Sequence, residues 1–114
     1  MISNDFLKKL RAKNVERQLH WAGSDKVDVL FRAVEFAGES GEVCNAVKKL
    51  HRARNGITGN TVDEAAIMAN LIDEIGDVII SLDMLANEFG IDLEEAASNK
   101  FNATSKKVNI DVYM

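Results

Sequence analysis

Three glutamates on one predicted helix open the chemistry of this chain. Glu35, Glu39 and Glu42 stand at i, i+4 and i+7, a spacing that puts all three carboxylates on one helical face. Lys49 follows seven residues after Glu42 on nearly the same face, roughly 10 Å further along the axis. A second cluster answers the first: Asp73, Glu74 and Asp77 stand at i, i+1 and i+4. They interrupt a run of Leu71, Ile72, Ile75, Val78, Ile79 and Ile80 that is apolar on almost every side. Like charges one turn apart destabilise a helix, and carboxylates set in an apolar helix are costly unless paired or metal-bound. Two such clusters suggest facing walls of one cation site. Every donor is a hard carboxylate oxygen, which suits Mg²⁺, with Mn²⁺ as a substitute, better than zinc.

Other chemistries find less support. His20 and His51 do not form the Glu-x-x-His pairs of a ferritin-like di-iron bundle. No Gly-x-x-x-x-Gly-Lys phosphate loop and no nucleophile-elbow motif is present. The formal net charge of −4 argues against a general nucleic-acid binder and against attraction to an anionic membrane. No apolar run approaches bilayer-spanning length, and Met1–Leu10 has no signal-peptide core. The lone Cys44 permits no intrachain disulfide, which fits a reducing cytoplasm; its place among apolar residues reads as a small core residue.

The elements that must position the acids are helical. Proline is absent from all 114 residues, consistent with an all-α protein and a single domain over 1–114. The patterns predict helices over about 5–20, 26–53, 62–89 and 93–103. Ser24 or Asp25 caps the second, Thr61 and Glu64 form a capping box for the third, and Asp92 and Glu95 form one for the fourth. Leu30, Val34, Ala37, Gly41, Cys44 and Val47 read as the core stripe of the second helix. Gly38 and Gly41 signal either close helix packing or room for a metal or phosphate. The third helix carries more apolar surface than one four-helix chain can cover, so the bundle is expected to be completed by oligomerisation, as a homodimer or a dimer of dimers.

The paired motifs Glu39-Ser-Gly-Glu42 and Glu74-Ile-Gly-Asp77 resemble those of the MazG-like all-α nucleoside triphosphate pyrophosphohydrolases. The resemblance continues through Lys48-Lys49-Leu50 and Arg52, through Gly90–Ala96 and Lys100–Lys107, and through the aromatic-bearing segment Arg17–Trp21. The gap of 31 residues between the motifs, Val43–Asp73, is longer than the family's usual spacing; the extra length is expected in the loop near Asn55–Asn60.

The resemblance implies hydrolysis of nucleoside triphosphates, deoxynucleotides among them, to the monophosphate and pyrophosphate, in nucleotide-pool house-cleaning. It implies that Glu39, Glu42, Glu74 and Asp77 hold Mg²⁺ and that Glu39 or Glu35 orients or deprotonates the attacking water. Lys49, Arg52 and Lys100 would meet the phosphates, Asn102 a phosphate or the sugar, and Trp21 the base. Phe31 is a second stacking candidate, although core packing is its simpler role. The competing readings are a non-catalytic helical oligomerisation protein and a narrow specialist for dUTP or a phosphoribosyl nucleotide.

Overall fold

A computed structural model describes residues 5–114 and contains, among them, four α-helices, one short 3₁₀ turn and no strand. Helix α1 spans Phe6–Leu19, α2 Val29–Asn55, α3 Glu64–Glu88 and α4 Leu93–Val108. None is long and apolar enough to cross a membrane.

Local chemistry sets the helix ends. Asp28 caps α2, its Oδ1 accepting from Phe31 N at 2.8 Å. The expected caps Ser24 and Asp25 instead lie in the 3₁₀ turn Ser24–Lys26, entered through Gly23 at φ 83°. The Thr61 capping box does not form either, because α3 starts two residues later, at Asp63, whose Oδ1 accepts from Ala66 N at 2.9 Å. Asp92 caps α4 as expected. That helix continues to Val108, five residues beyond its expected end. Three helices stop in the same way. Gly56, Gly90 and Asn109 take left-handed backbone, and the next residue's N–H reaches back to Arg52 O, Ala86 O or Ser105 O.

Helices α2 and α3 pair lengthwise, and α1 packs on α3, whereas α4 touches the other helices sparsely. Only eight of the 31 residues between the acidic motifs, 56–63, lie outside helix. The rest of that span completes α2 and begins α3.

A polar bridge fixes α1. Asp83, 1% exposed, accepts from Arg11 Nε at 3.0 Å and from Asn14 Nδ2 at 2.9 Å. Arg11 Nη2 also donates to Ile91 O at 2.7 Å, tying in the turn before α4.

The apolar core within one chain is small, with Ala46, Ile67 and Ala86 its fully buried members. The expected core stripe of α2 faces outward: Leu30 is 74% exposed, Val34 72% and Val47 49%. Cys44 is exposed as well. These residues have helical periodicity, but no element among the described residues covers them. Gly38 and Gly41 are equally open, since a Cβ at either would meet nothing within 4 Å. Close packing within the chain does not explain them.

Candidate metal and nucleotide site

The lengthwise pairing of α2 and α3 brings the two acidic motifs face to face. One carboxylate oxygen from each of Glu39, Glu74 and Asp77 lies within 4.8 Å of the others. Glu42 stands beside Glu74. Asp73 points away and is exposed.

Charge crowding raises two of these acids. Burial pushes the Glu39 carboxyl above the ordinary glutamate range, with the charges of Asp77, Glu42 and Glu35 adding to the effect. Burial also raises Glu74, followed by its hydrogen-bonded approach to Glu42 and the charges of Glu42, Asp77 and Glu39. Glu74 Oε2 is buried without a hydrogen-bond partner among the described residues. An orphaned carboxylate oxygen amid like charges, with hard oxygen donors on both helices, fits a divalent cation.

Two of the trio, Glu39 and Asp77, line a cavity of about 510 Å³ together with Glu35. Its lining also takes in α1, the 3₁₀ turn and the start of α2, including Trp21, Phe31, Gln18 and Arg32. Trp21 is 60% and Phe31 50% exposed, so Phe31 is a wall residue of the cavity and not a core residue. Arg17 holds its guanidinium 6.0 Å from the Trp21 ring centroid. Glu35 Oε1 accepts from Arg32 Nη1 at 3.1 Å.

The remaining residues singled out in the sequence lie elsewhere in the single chain. Lys49 is ten residues beyond Glu39, about 15 Å along α2, and does not line the cavity. Arg52 lies against the loop after α2, its Cζ 3.5 Å from where a Cβ on Gly59 would be. Lys100 is exposed on α4. Asn102 is taken up by the C-terminal segment, donating to Met114 O at 3.0 Å and accepting from Met114 N at 2.8 Å. The cations that do line the cavity are Arg17, Lys26 and Arg32. Sequence reasoning passed over Arg32 and Gln18. For Arg32 the available signal was spacing, since it precedes Glu35 by three residues on α2 and shares its helical face; for Gln18, near the end of α1, there was none.

The all-helical chain thus sets acidic residues of α2 and α3 together, beside a cavity whose lining includes Trp21 and Phe31. Residues 28–109 match the model of the MazG nucleotide pyrophosphohydrolase domain, and the chain belongs to that family. No curated protein and no solved structure matches the chain significantly. The matched span contains both acidic motifs and α4; α1, with Gln18 and Trp21, precedes it.

Proposed function

We propose that this chain is a Mg²⁺-dependent nucleoside triphosphate pyrophosphohydrolase, with Mn²⁺ as a possible substitute. It would cleave nucleoside triphosphates, deoxynucleotides among them, to the monophosphate and pyrophosphate. The observation that carries this is the convergence of Glu39, Glu74 and Asp77 oxygens within 4.8 Å, two of these residues lining a cavity of about 510 Å³ that Trp21 and Phe31 also line. Glu39, Glu74 and Asp77, with Glu42 beside them, would hold the cation. Bound there, it would offset the triphosphate's charge and acidify water. Glu39, or Glu35 one turn earlier, takes the proton from the attacking water. The new P–O bond forms as the Pα–O–Pβ bridge breaks, and pyrophosphate leaves. Trp21 stacks on the base. Lys49, Arg52, Lys100 and Asn102 stay in the reading as phosphate and sugar contacts that the single chain does not bring to the cavity. They would act there from a neighbouring copy or after the α4 segment moves.

The same proposal covers assembly, with residues 1–114 as one domain. The chain exposes 8531 Å², roughly 2,300 Å² more than the scaling for a compact monomer of this mass. Its radius of gyration is 17.6 Å, against about 13 Å for a compact domain of this length. The excess is of the size an obligate interface removes per subunit. The outward stripe of α2 and the exposed Ile72, Ile75 and Ile79 of α3 supply an apolar face for it. A homodimer, or a dimer of dimers, is the expected form. The free thiol and net charge of −4 support a cytoplasmic enzyme of the nucleotide pool with no nucleic-acid polymer or membrane as partner.

A panel of ribo- and deoxynucleoside triphosphates, assayed with Mg²⁺ for pyrophosphate against phosphate release, tests the reaction. Pyrophosphate release abolished by chelator is the expected result. Phosphate as the first product overturns the reaction. If no nucleotide is hydrolysed and none raises the melting temperature with Mg²⁺, the non-catalytic oligomerisation reading takes its place.

A further inference from the structure

Of the three cations that line the cavity, Arg17 and Lys26 are exposed, whereas Arg32 is buried, at 6% exposure. A guanidinium at that depth needs a counter-charge and acceptors for its donors. Glu35 supplies the charge, its Oε1 accepting from Arg32 Nη1 at 3.1 Å. Gln18 of α1 supplies a second acceptor, its Oε1 meeting Arg32 Nη2 at 2.8 Å. A guanidinium only donates, so the Gln18 amide has one orientation here, with its oxygen toward Arg32. The planar fork is thereby held at both ends, by Glu35 on its own helix and by Gln18 on another.

This pair differs from an ordinary ion pair on a helix surface. Lys13 and Glu16 have the same three-residue spacing, but their side chains are 65% and 60% exposed. Water competes for both, and such a pair contributes little. The side chains of Arg32 and Glu35 are 7% and 27% exposed, so little water competes and Glu35 is held firmly by one oxygen. Its other oxygen, Oε2, accepts no hydrogen bond among the described residues. Glu35 lines the cavity with Glu39 and Asp77 yet stands outside the trio whose oxygens converge. A carboxylate bound to a cation is held in its ionised form and is a poor proton acceptor. Of the two glutamates that could serve the attacking water, Glu35 is therefore the one left free to do so.

We propose that Arg32 is a positioning residue, which fixes Glu35 as the carboxylate that receives the proton of the attacking water. The inference rests on the reaction proposed above. As the water oxygen bonds to the α-phosphorus, its proton passes to Glu35, and the electron pair of the breaking Pα–O bond leaves with pyrophosphate. Arg32 acts only by holding Glu35, and Gln18 by holding Arg32.

Steady-state kinetics of the full chain, with Mg²⁺ and a nucleoside triphosphate, tests this. Arg32→Ala should lower kcat at least about tenfold and change KM less than about threefold. Glu35→Gln keeps an oxygen for Arg32 and removes the proton acceptor. On that background Arg32→Ala should cost less than about twofold more, since the two residues act as one unit. Mg²⁺ binding by calorimetry should not weaken in Arg32→Ala, because the converging trio is untouched. If Arg32→Ala does not fold, Arg32→Lys decides by the same comparison, since an ammonium keeps the charge but not the two-ended fork.

A lower melting temperature with kcat intact makes the bridge structural only and overturns the role. A rise in KM at constant kcat makes Arg32 a substrate contact, and weakened Mg²⁺ binding puts it in the cation site; either overturns the proposal. So do additive losses in the double variant, which would show that Arg32 does not act through Glu35. A wild type that releases no pyrophosphate removes the reaction and this role with it, whereas an active wild type indifferent to Arg32 removes the role alone.

Discussion

Glu74 concentrates the chemistry of the site in one side chain. Its carboxylate is half-buried on α3, one oxygen has no donor, and three other acids push its protonation upward. Glu74→Gln should lower the rate by more than about tenfold, equivalent to about 1.4 kcal/mol in the barrier. It should also weaken Mg²⁺ binding measured by calorimetry while leaving the helical circular dichroism unchanged. A variant that kept a tenth or more of the rate would remove Glu74 as a ligand.

The same crowding gives the metal-free protein a pH dependence of definite sign. Glu39 and Glu74 bind protons more tightly folded than unfolded. Their contribution to stability is therefore fully present below the ordinary glutamate pKa, about 4.3, and is lost as pH rises through their raised values. In chelator, the melting temperature should carry a falling component from this pair above that range, and Glu74→Gln should reduce it. Mg²⁺ at neutral pH should raise the melting temperature of the wild type and do so less for the variant. An identical pH profile for both proteins would rule out this account.

Among the elements, α1 is the one whose placement matters most for function, and a polar bridge secures it. It lies before the family-matched span yet carries Gln18, and leads into Trp21, at the cavity wall. The Asp83 bridge to Arg11 and Asn14 holds it against α3. Asp83→Ala strands a guanidinium and an amide, so it should cost about 3 kcal/mol at fixed protein concentration. Part of Arg11 stays satisfied through Ile91 O, which keeps the loss from being larger. In the same variant KM for the nucleotide should rise more than kcat falls, because the wall moves while the acids of α2 and α3 stay. A urea-derived change below about 1 kcal/mol would show that apolar packing alone seats α1.

For the molecule as a whole, the excess surface leads to a prediction about mass. Light scattering at micromolar concentration should give at least twice the chain mass of 12.6 kDa. Ile79→Asp sets a charge in the apolar face of α3, where Ile79 is 41% exposed in the single chain. It should lower both the mass and the stability, because a charge at a buried interface stays unpaired. An active species at the monomer mass, or a fully stable Ile79→Asp chain, would show that the apolar face is tolerated in water.

Much of this was legible in the residues. Alternation at three and four positions, the absence of proline and the Asp and Gly punctuation determine four helices, since those signals act within a turn or two of where they stand. The acidic motifs were legible for the same reason: i, i+3 spacing on a helix is itself geometry, and like charges in an apolar setting require a compensating partner. Which acids converge was a tertiary outcome. The pairing of α2 with α3 brought Glu39, Glu74 and Asp77 together and left Asp73 outside, because facing positions on two helices depend on how they dock. The roles of Gln18 and Arg32 were decided at that level too. An amide acquires a single orientation only when a donor from another helix occupies its oxygen, and no local pattern encodes that meeting. The stripe on α2 marks the limit from the other direction. Periodicity identified Leu30, Val34 and Val47 as a face that must be covered, but it carries no information on whether the cover comes from the same chain.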